Sequence, residues 1–278
     1  MAAAGLPVRW TVGLTVETAD PRALAEPLLR ELHAFSDSLM KEAYGPFSVH
    51  VANHDTVYIF RRQLDASLVG FSFWRHKRLC LPPLSSTTTT KEIIAIQQGK
   101  LRILGNYRRL SIHVWATLWY WLRVQWANPT RRLWFISIAS LFNYVSMRRS
   151  VGEFYLMDGK YDGEPSDLLI LQELLDEMIR EDNFDVDPQE PARINVKIRI
   201  PKSTLAEFPP SFYELSESKD YIKANPNYED GYDLAYAYPF TFRNVLGMFI
   251  RALEQTYFRS RPPALLAELN ATKKDKHD

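Results

Sequence analysis

The chain reads as an α/β protein of the α+β kind: a central mixed, mostly antiparallel sheet flanked by helices, with an elaborated C-terminal region. Three observations lead there. The first eighty residues contain β-rich runs joined by hairpin-length turns, which pair neighbouring strands antiparallel. Residues 100 to 149 then run strand, helix, strand, helix, and two strands joined through a helix lie parallel. A composition of 46% hydrophobic and 24% charged residues over 278 positions supplies enough apolar surface for a sizeable core.

Taken in order, Val8 to Val16 alternates as a first strand, and Asp20-Pro21 opens a helix that runs to about Met40, with Leu24, Leu28, Leu32 and Phe35 on one face. Phe47–Ala52, Thr56–Arg62 and Leu68–Leu79 read as three strands of a meander, the last two joined by the turn Leu64-Asp65-Ala66-Ser67. Leu81 to Thr90, with two prolines and a run of hydroxyl residues, is a surface loop. Strand returns at Lys91–Ile96, and Gly99 marks a turn or bulge before Lys100–Leu104. A long aromatic helix follows, then a buried strand at Leu133–Ile138 and a short helix at Ser140–Arg149. Gly152–Tyr155 is one more short strand.

Asp158-Gly159 and Asp162-Gly163 make a turn-rich boundary that divides a core of residues 1–160 from an extension of residues 161–278 packed on it. The extension holds a helix from Glu164 to Arg180, an acidic loop at 181–190, a strand Arg193–Ile200 with Ile194, Val196, Ile198 and Ile200 on one face, and a second strand Gly231–Tyr238. Thr241 caps a last helix, Phe242–Phe258, and the charged tail from Ala271 frays. Between the two strands lies a long aromatic and acidic insertion. It is either a lid over a cleft or a segment that packs its rings on the core.

Charge excludes a class of partners. Lys+Arg 34 against Asp+Glu 33 leaves +1, so no global field recruits nucleic acid. The single cysteine, Cys80, rules out an internal disulfide and suits a reducing compartment, and the N-terminus lacks a secretory pattern, so the expected location is cytoplasmic. Leu110–Trp126 is short of a clean apolar span and includes His113 and Arg123, so it reads as a buried helix rather than a membrane span, and peripheral membrane contact is not favoured. Trp115, Trp119 and Trp126 form a helical stripe, read as core rather than as a platform for a flat substrate. His50 and His54 lie four apart across a strand end and turn, not on a helix, and no metal site is expected.

The stretch Lys100 to Gln125 carries the chemistry. A strand delivers a basic turn, Arg108 and Arg109, to a helix start at Leu110-Ser111, where Ser111 is placed as N-cap, and a helix start with free amides beside guanidinium groups binds anions. The run Leu101 to His113 resembles the strand, pyrophosphate loop and helix start of the GNAT superfamily of acyl-CoA-dependent N-acyltransferases. Arg108 takes the Gln/Arg place of the loop pattern, while Ser111 and His113 stand where the pattern has glycines. The LVGFSFWR run with Gly70 is similar to the family's third strand, and the likeness extends over roughly residues 55 to 155. It implies a pair of parallel strands that part at their C-terminal ends, Lys100–Leu104 and Leu133–Ile138, with acetyl-CoA or another acyl-CoA between them. It further implies that Ile103, Leu104, Arg108, Arg109, Leu110, Ser111, Ile112 and His113 hold the cofactor, and that Asn143 touches it. The family's usual catalytic tyrosine falls on Ser150, leaving Tyr144 and Tyr155 as candidates by proximity. Two functions follow: acyl transfer to an amine of a small molecule, or, because both loop glycines are replaced, a protein on this fold that no longer uses CoA and binds or transforms another small ligand in an aromatic cleft.

Overall fold

The computed structural model describes residues 5–10, 13–39, 47–80, 92–108, 110–160, 167–200, 202–206 and 208–258. Its strands are β1 (Gly5–Trp10), β2 (Leu14–Ala19), β3 (Thr56–Arg62), β4 (Leu68–Cys80), β5 (Glu92–Ile103), β6 (Arg132–Ala139), β7 (Tyr155–Leu156), β8 (Asp185–Val186), β9 (Arg193–Asn195) and β10 (Tyr232–Pro239). The helices are α1 (Glu26–Leu39), α2 (Phe47–Asn53), α3 (Gly105–Arg108), α4 (Ile112–Ala127), α5 (Leu141–Arg148), α6 (Asp167–Glu181), α7 (Lys202–Ala206), α8 (Pro210–Tyr213), α9 (Ser216–Ala224) and α10 (Phe242–Leu253). All ten strands join one sheet in the order β1-β2-β3-β4-β5-β6-β10-β9-β8, with β7 also on β10. Every pairing among them is antiparallel except β5 with β6, so the expected mixed, mostly antiparallel sheet flanked by helices is present. Because β10 pairs with β6, the C-terminal part of the chain shares its sheet with the N-terminal part.

Alternation along the strands loads both faces. Tyr58, Phe60, Trp74, Ile96, Phe135 and Tyr236 face α4, α5, α9 and α10. On the opposite face Val57, Ile59, Phe71 and Phe73 meet Leu32 of α1 and Phe47 of α2, while Ala95, Trp134 and Ile136 meet the leucines of α6. Between those last two patches runs a polar seam. Arg75 holds Glu181 at 3.2 and 2.7 Å and donates to Gln97, His50 Nε2 lies 3.3 Å from Asp182, and the Lys100 ammonium sits 5.5 Å from the Phe47 ring centroid.

Several local readings differ from the sequence expectation. The first strand is a hairpin, β1 and β2, turned at Gly13 with φ +76°. The Asp20 carboxylate caps only a 3-10 turn, Pro21–Ala23, because Leu24 is extended and α1 starts beyond it. Phe47–Ala52 is helix, not strand: Phe47, His50 and His54 recur at three and four positions and are all buried, a helical stripe that a short β-rich run concealed. Lys91–Ile96 and Lys100–Leu104 are two halves of β5, and Gly99 lies in a bulge where Gly99 and Lys100 together oppose Phe73. Arg193–Ile200 keeps its buried Ile194 and Val196, but Lys197 at φ +61° ends the ladder after Asn195. Gly152–Tyr155 shrinks to β7. Thr241 does cap the last helix, its Oγ1 accepting from Asn244 N, and a wider π turn, Glu254–Phe258, extends α10. The loop at 81–90, the boundary turn at Asp162-Gly163, the helix start at Glu164 and the tail from Ala271 lie outside the described residues.

The tryptophan stripe of α4 departs most. Trp115 is half-buried against Phe249, with ring centroids 5.8 Å apart, but Trp119 and Trp126 are 53% and 85% exposed. The core is met instead by Ile112, Val114, Ala116, Tyr120 and Val124. α4 is thus apolar on both sides, and each large side chain left in water forgoes roughly 2 kcal/mol of burial. Among the described residues no helix is long and apolar enough to cross a membrane.

The bulge in β5 yields a prediction. A Cβ at Gly99 would lie 2.2 Å from His54 Nε2, and the buried His54 ring is pinned by its bond to the His50 carbonyl at 2.7 Å and by Phe73. Gly99→Ala is expected to cost about 2 kcal/mol or more in urea unfolding. Gly159→Ala, in open space at φ +77°, serves as the comparison at about 1 kcal/mol. Equal losses would refute the steric account.

Candidate functional site

The expected site lies where β5 and β6 part. Their parallel ladder runs from Ile93 beside Arg132 to Gln97 beside Ile136 and stops there. Beyond the bulge at Gly99 and Lys100 the rest of β5 pairs with β4 alone, while β6 continues along β10. The strands therefore separate beyond Gln97, so the segment parallel to β6 is Ile93–Gln97 and not the expected Lys100–Leu104, which the bulge carries away along β4.

After β5 the chain makes the one-turn helix α3 and enters α4 through Ser111 at φ +53°, ψ +29°. In that left-handed conformation Ser111 makes no side-chain cap, contrary to its expected role. Its buried Oγ meets the Gln255 carboxamide, Trp115 Nε1 donates to Thr256 Oγ1 at 3.0 Å, and Thr256 Oγ1 donates to the Leu110 carbonyl at 3.2 Å. The π turn after α10 thus closes over the start of α4. Such a turn widens the helix and brings Gln255 and Thr256 to one side.

The remaining candidates spread widely. Ile103, Leu110 and Ile112 are core residues and Leu104 is half-buried against them. Arg109 lies outside the described residues, as does the Arg108 side chain. His113 turns from the loop toward α5, its Nε2 3.0 Å from Ser146 Oγ, and burial pushes its pKa down to about 4, so the ring is neutral at pH 7. Asn143 is half-buried on α5. Tyr144 packs edge-on against Tyr221, Phe154 and Tyr236 with centroids 4.9 to 6.0 Å apart, and burial raises its hydroxyl pKa. Tyr155 lies on the other face of the sheet, 5.9 Å from Trp134. The structure does not bring the two tyrosines together.

Two features had no sequence signal. Asp55, just before β3, His76 of β4 and Tyr120 of α4 converge: Tyr120 donates to Asp55 Oδ1 at 2.8 Å, and His76 Nδ1 lies 2.9 Å from the Tyr120 hydroxyl and 3.1 Å from Asp55 Oδ2. With the Tyr120 proton spent on Asp55, the His76 Nδ1–H is the donor that faces the Tyr120 oxygen and Asp55 Oδ2. Burial opposes the charge on Asp55, yet the bonds from His76 and Tyr120 prevail and hold its carboxyl below the usual range. The cluster is nine residues along α4 from Ser111, ~14 Å at the helical rise, and so is separate from the strand opening. No spacing in the sequence joins three residues from three elements.

The second feature is a cavity of about 270 Å³ lined by Leu156 and Leu234 of the sheet, by Glu190 and Arg193, and by Asp220 and Lys223 of α9. The long insertion contributes α9. Tyr221 of α9 is fully buried and donates to the Ala139 carbonyl at 3.1 Å, and Asn225 donates to the Tyr232 carbonyl at 2.6 Å. α9 therefore packs on the core with one face and presents charged residues to the cavity with the other. Among the described residues no group of three or more His, Cys, Asp or Glu is placed to hold a metal ion.

Buried neutral histidines make the fold sensitive to acid. Burial pushes His54 and His113 from their ordinary 6.5 to about 4, so between those values the unfolded chain binds more protons than the folded one. Stability present above pH 6.5 is expected to fall as the pH drops toward 4. His113→Gln, which keeps a partner for Ser146, should make that fall shallower in urea titrations across the range, and an unchanged slope would refute a half-buried neutral His113. No family model and no curated protein matches this chain.

Proposed function

We propose that this chain is a GNAT-like protein that has lost the use of CoA and binds a small polar molecule instead. The scaffold half of the reading is supported by the parallel pair β5 and β6, which parts at its C-terminal ends after the bulge, and by the order of elements around it. The observation that carries the other half is the closure of the α4 start by Gln255 and Thr256. A diphosphate needs that helix start open, with small residues under it. Here Ser111 is buried beneath a side chain from the last helix, and His113 has turned away to Ser146. The tyrosines proposed to serve as acid are in ring clusters on opposite faces.

The ligand site in this reading is the cavity beside α9. Its carboxylates, Asp158, Glu190 and Asp220, outnumber Arg193 and Lys223, and Arg193 is already held by the Ala224 carbonyl and Asp187. That balance suits a small amine or zwitterion. The acyltransferase reading rests on the parting of β5 and β6, and it requires the turn at Gln255 and Thr256 to leave Ser111.

Thermal unfolding of the purified chain with and without CoA and acetyl-CoA tests the choice. No change in Tm is expected for the wild type at millimolar ligand. A rise of several degrees would overturn the proposal, and a rise confined to Gln255→Ala would show that the turn is a removable gate and favour acyl transfer.

A further inference from the structure

α4 and α10 lie side by side and antiparallel: Trp115 near the start of α4 meets Phe249 near the end of α10, and Trp121 stacks on Phe240, just before α10, at 5.9 Å. From the Trp115–Phe249 contact two stripes run outward on the solvent side. Along α4 they are Trp119, Leu122 and Trp126, spaced three and four apart. Along α10 they are Phe249, Leu246 and Phe242, spaced the same way, with Ile250 beside them. All are exposed, and Trp126 and Phe242, at 85% and 82%, stand out furthest at the same end of the helix pair. A contiguous aromatic surface of this kind on a folded chain marks a contact.

Its charge selects the partner. Neither helix carries a single Asp or Glu, whereas Arg123 of α4 and Arg243 of α10 are exposed on their flanks. A second copy of the same face would bring the arginines of the two helices against one another, whereas an anionic surface would pair them. We infer that the outer face of α4 and α10 docks on an anionic lipid surface, with Trp126 and Phe242 entering the headgroup region and Arg123 and Arg243 meeting lipid phosphates and carboxylates. Tryptophan and phenylalanine over an arginine flank, with no helix among the described residues long and apolar enough to span, is the pattern of attachment in the plane of the interface. The inference does not depend on what the cavity beside α9 binds.

Flotation of the full chain with vesicles tests it, using phosphatidylcholine alone and phosphatidylcholine with about one-third phosphatidylserine. The chain is expected to float with the anionic vesicles, with a blue shift in tryptophan emission and with weaker binding in high salt. Trp126→Ser with Phe242→Ser should weaken binding roughly tenfold or more while leaving circular dichroism and Tm in place, because both side chains are exposed. Arg123→Glu with Arg243→Glu should remove the preference for anionic lipid. No flotation, or equal flotation with neutral vesicles, overturns the inference. So does a wild-type dimer in light scattering that the Trp126→Ser, Phe242→Ser variant converts to monomer without any vesicle binding, an outcome that gives the face to a second copy.

Discussion

The architecture depends on one interruption in one strand. β5 is the strand that changes the sheet from antiparallel to parallel, and it serves both kinds of partner only because Gly99 and Lys100 bulge out opposite Phe73. Before the bulge β5 lies between β4 and β6. After it β5 follows β4 alone, and the room released is taken by the starts of α4 and α5. The same bulge sets the opposite face, because the space over Gly99 is filled by the His54 ring and so fixes where α2 packs. A glycine is required there since a methyl group would meet the imidazole at less than contact distance.

Much of this was legible. Strands β3 and β4, the turn between them, the crossover through α4 to β6 and the Thr241 cap follow from alternation, turn residues and capping chemistry, all local rules. What was not legible is non-local. FSVHVAN is too short for its period to separate strand from helix, and its helical form is decided by the burial of Phe47, His50 and His54 under β4 and β5. RINVKIRI kept its pattern of burial but not its ladder, because Lys197 turns into the left-handed region while its N–H bonds Asn195 Oδ1. Period and burial can therefore agree with a strand where the hydrogen bonds do not.

Around the candidate site, the end of a strand and the start of a helix were legible, and the contacts of the residues between them were not. The stretch Leu101 to His113 does end the parted strand and start α4, as its residues suggested. Ser111 failed as a cap because its backbone is left-handed, and His113 left the loop for Ser146, outcomes governed by α5 and by the end of α10. The aromatic stripe of α4 shows the limit most plainly. Spacing identifies a face of a helix but does not say whether that face looks inward, and α4, with apolar residues all round, offered two faces for one core.

The closure of α4 by the π turn also joins the chain's middle to its end. Ser111 and Trp115 depend on Gln255 and Thr256, more than 140 positions later. A chain emerging from synthesis has its sheet through β6 long before it has these partners, and until Thr256 arrives the Leu110 carbonyl and the Trp115 indole lack the bonds they make in the finished fold. The start of α4 is thus closed only after α10 has been made, and loss of the π turn would uncover residues from the middle of the chain.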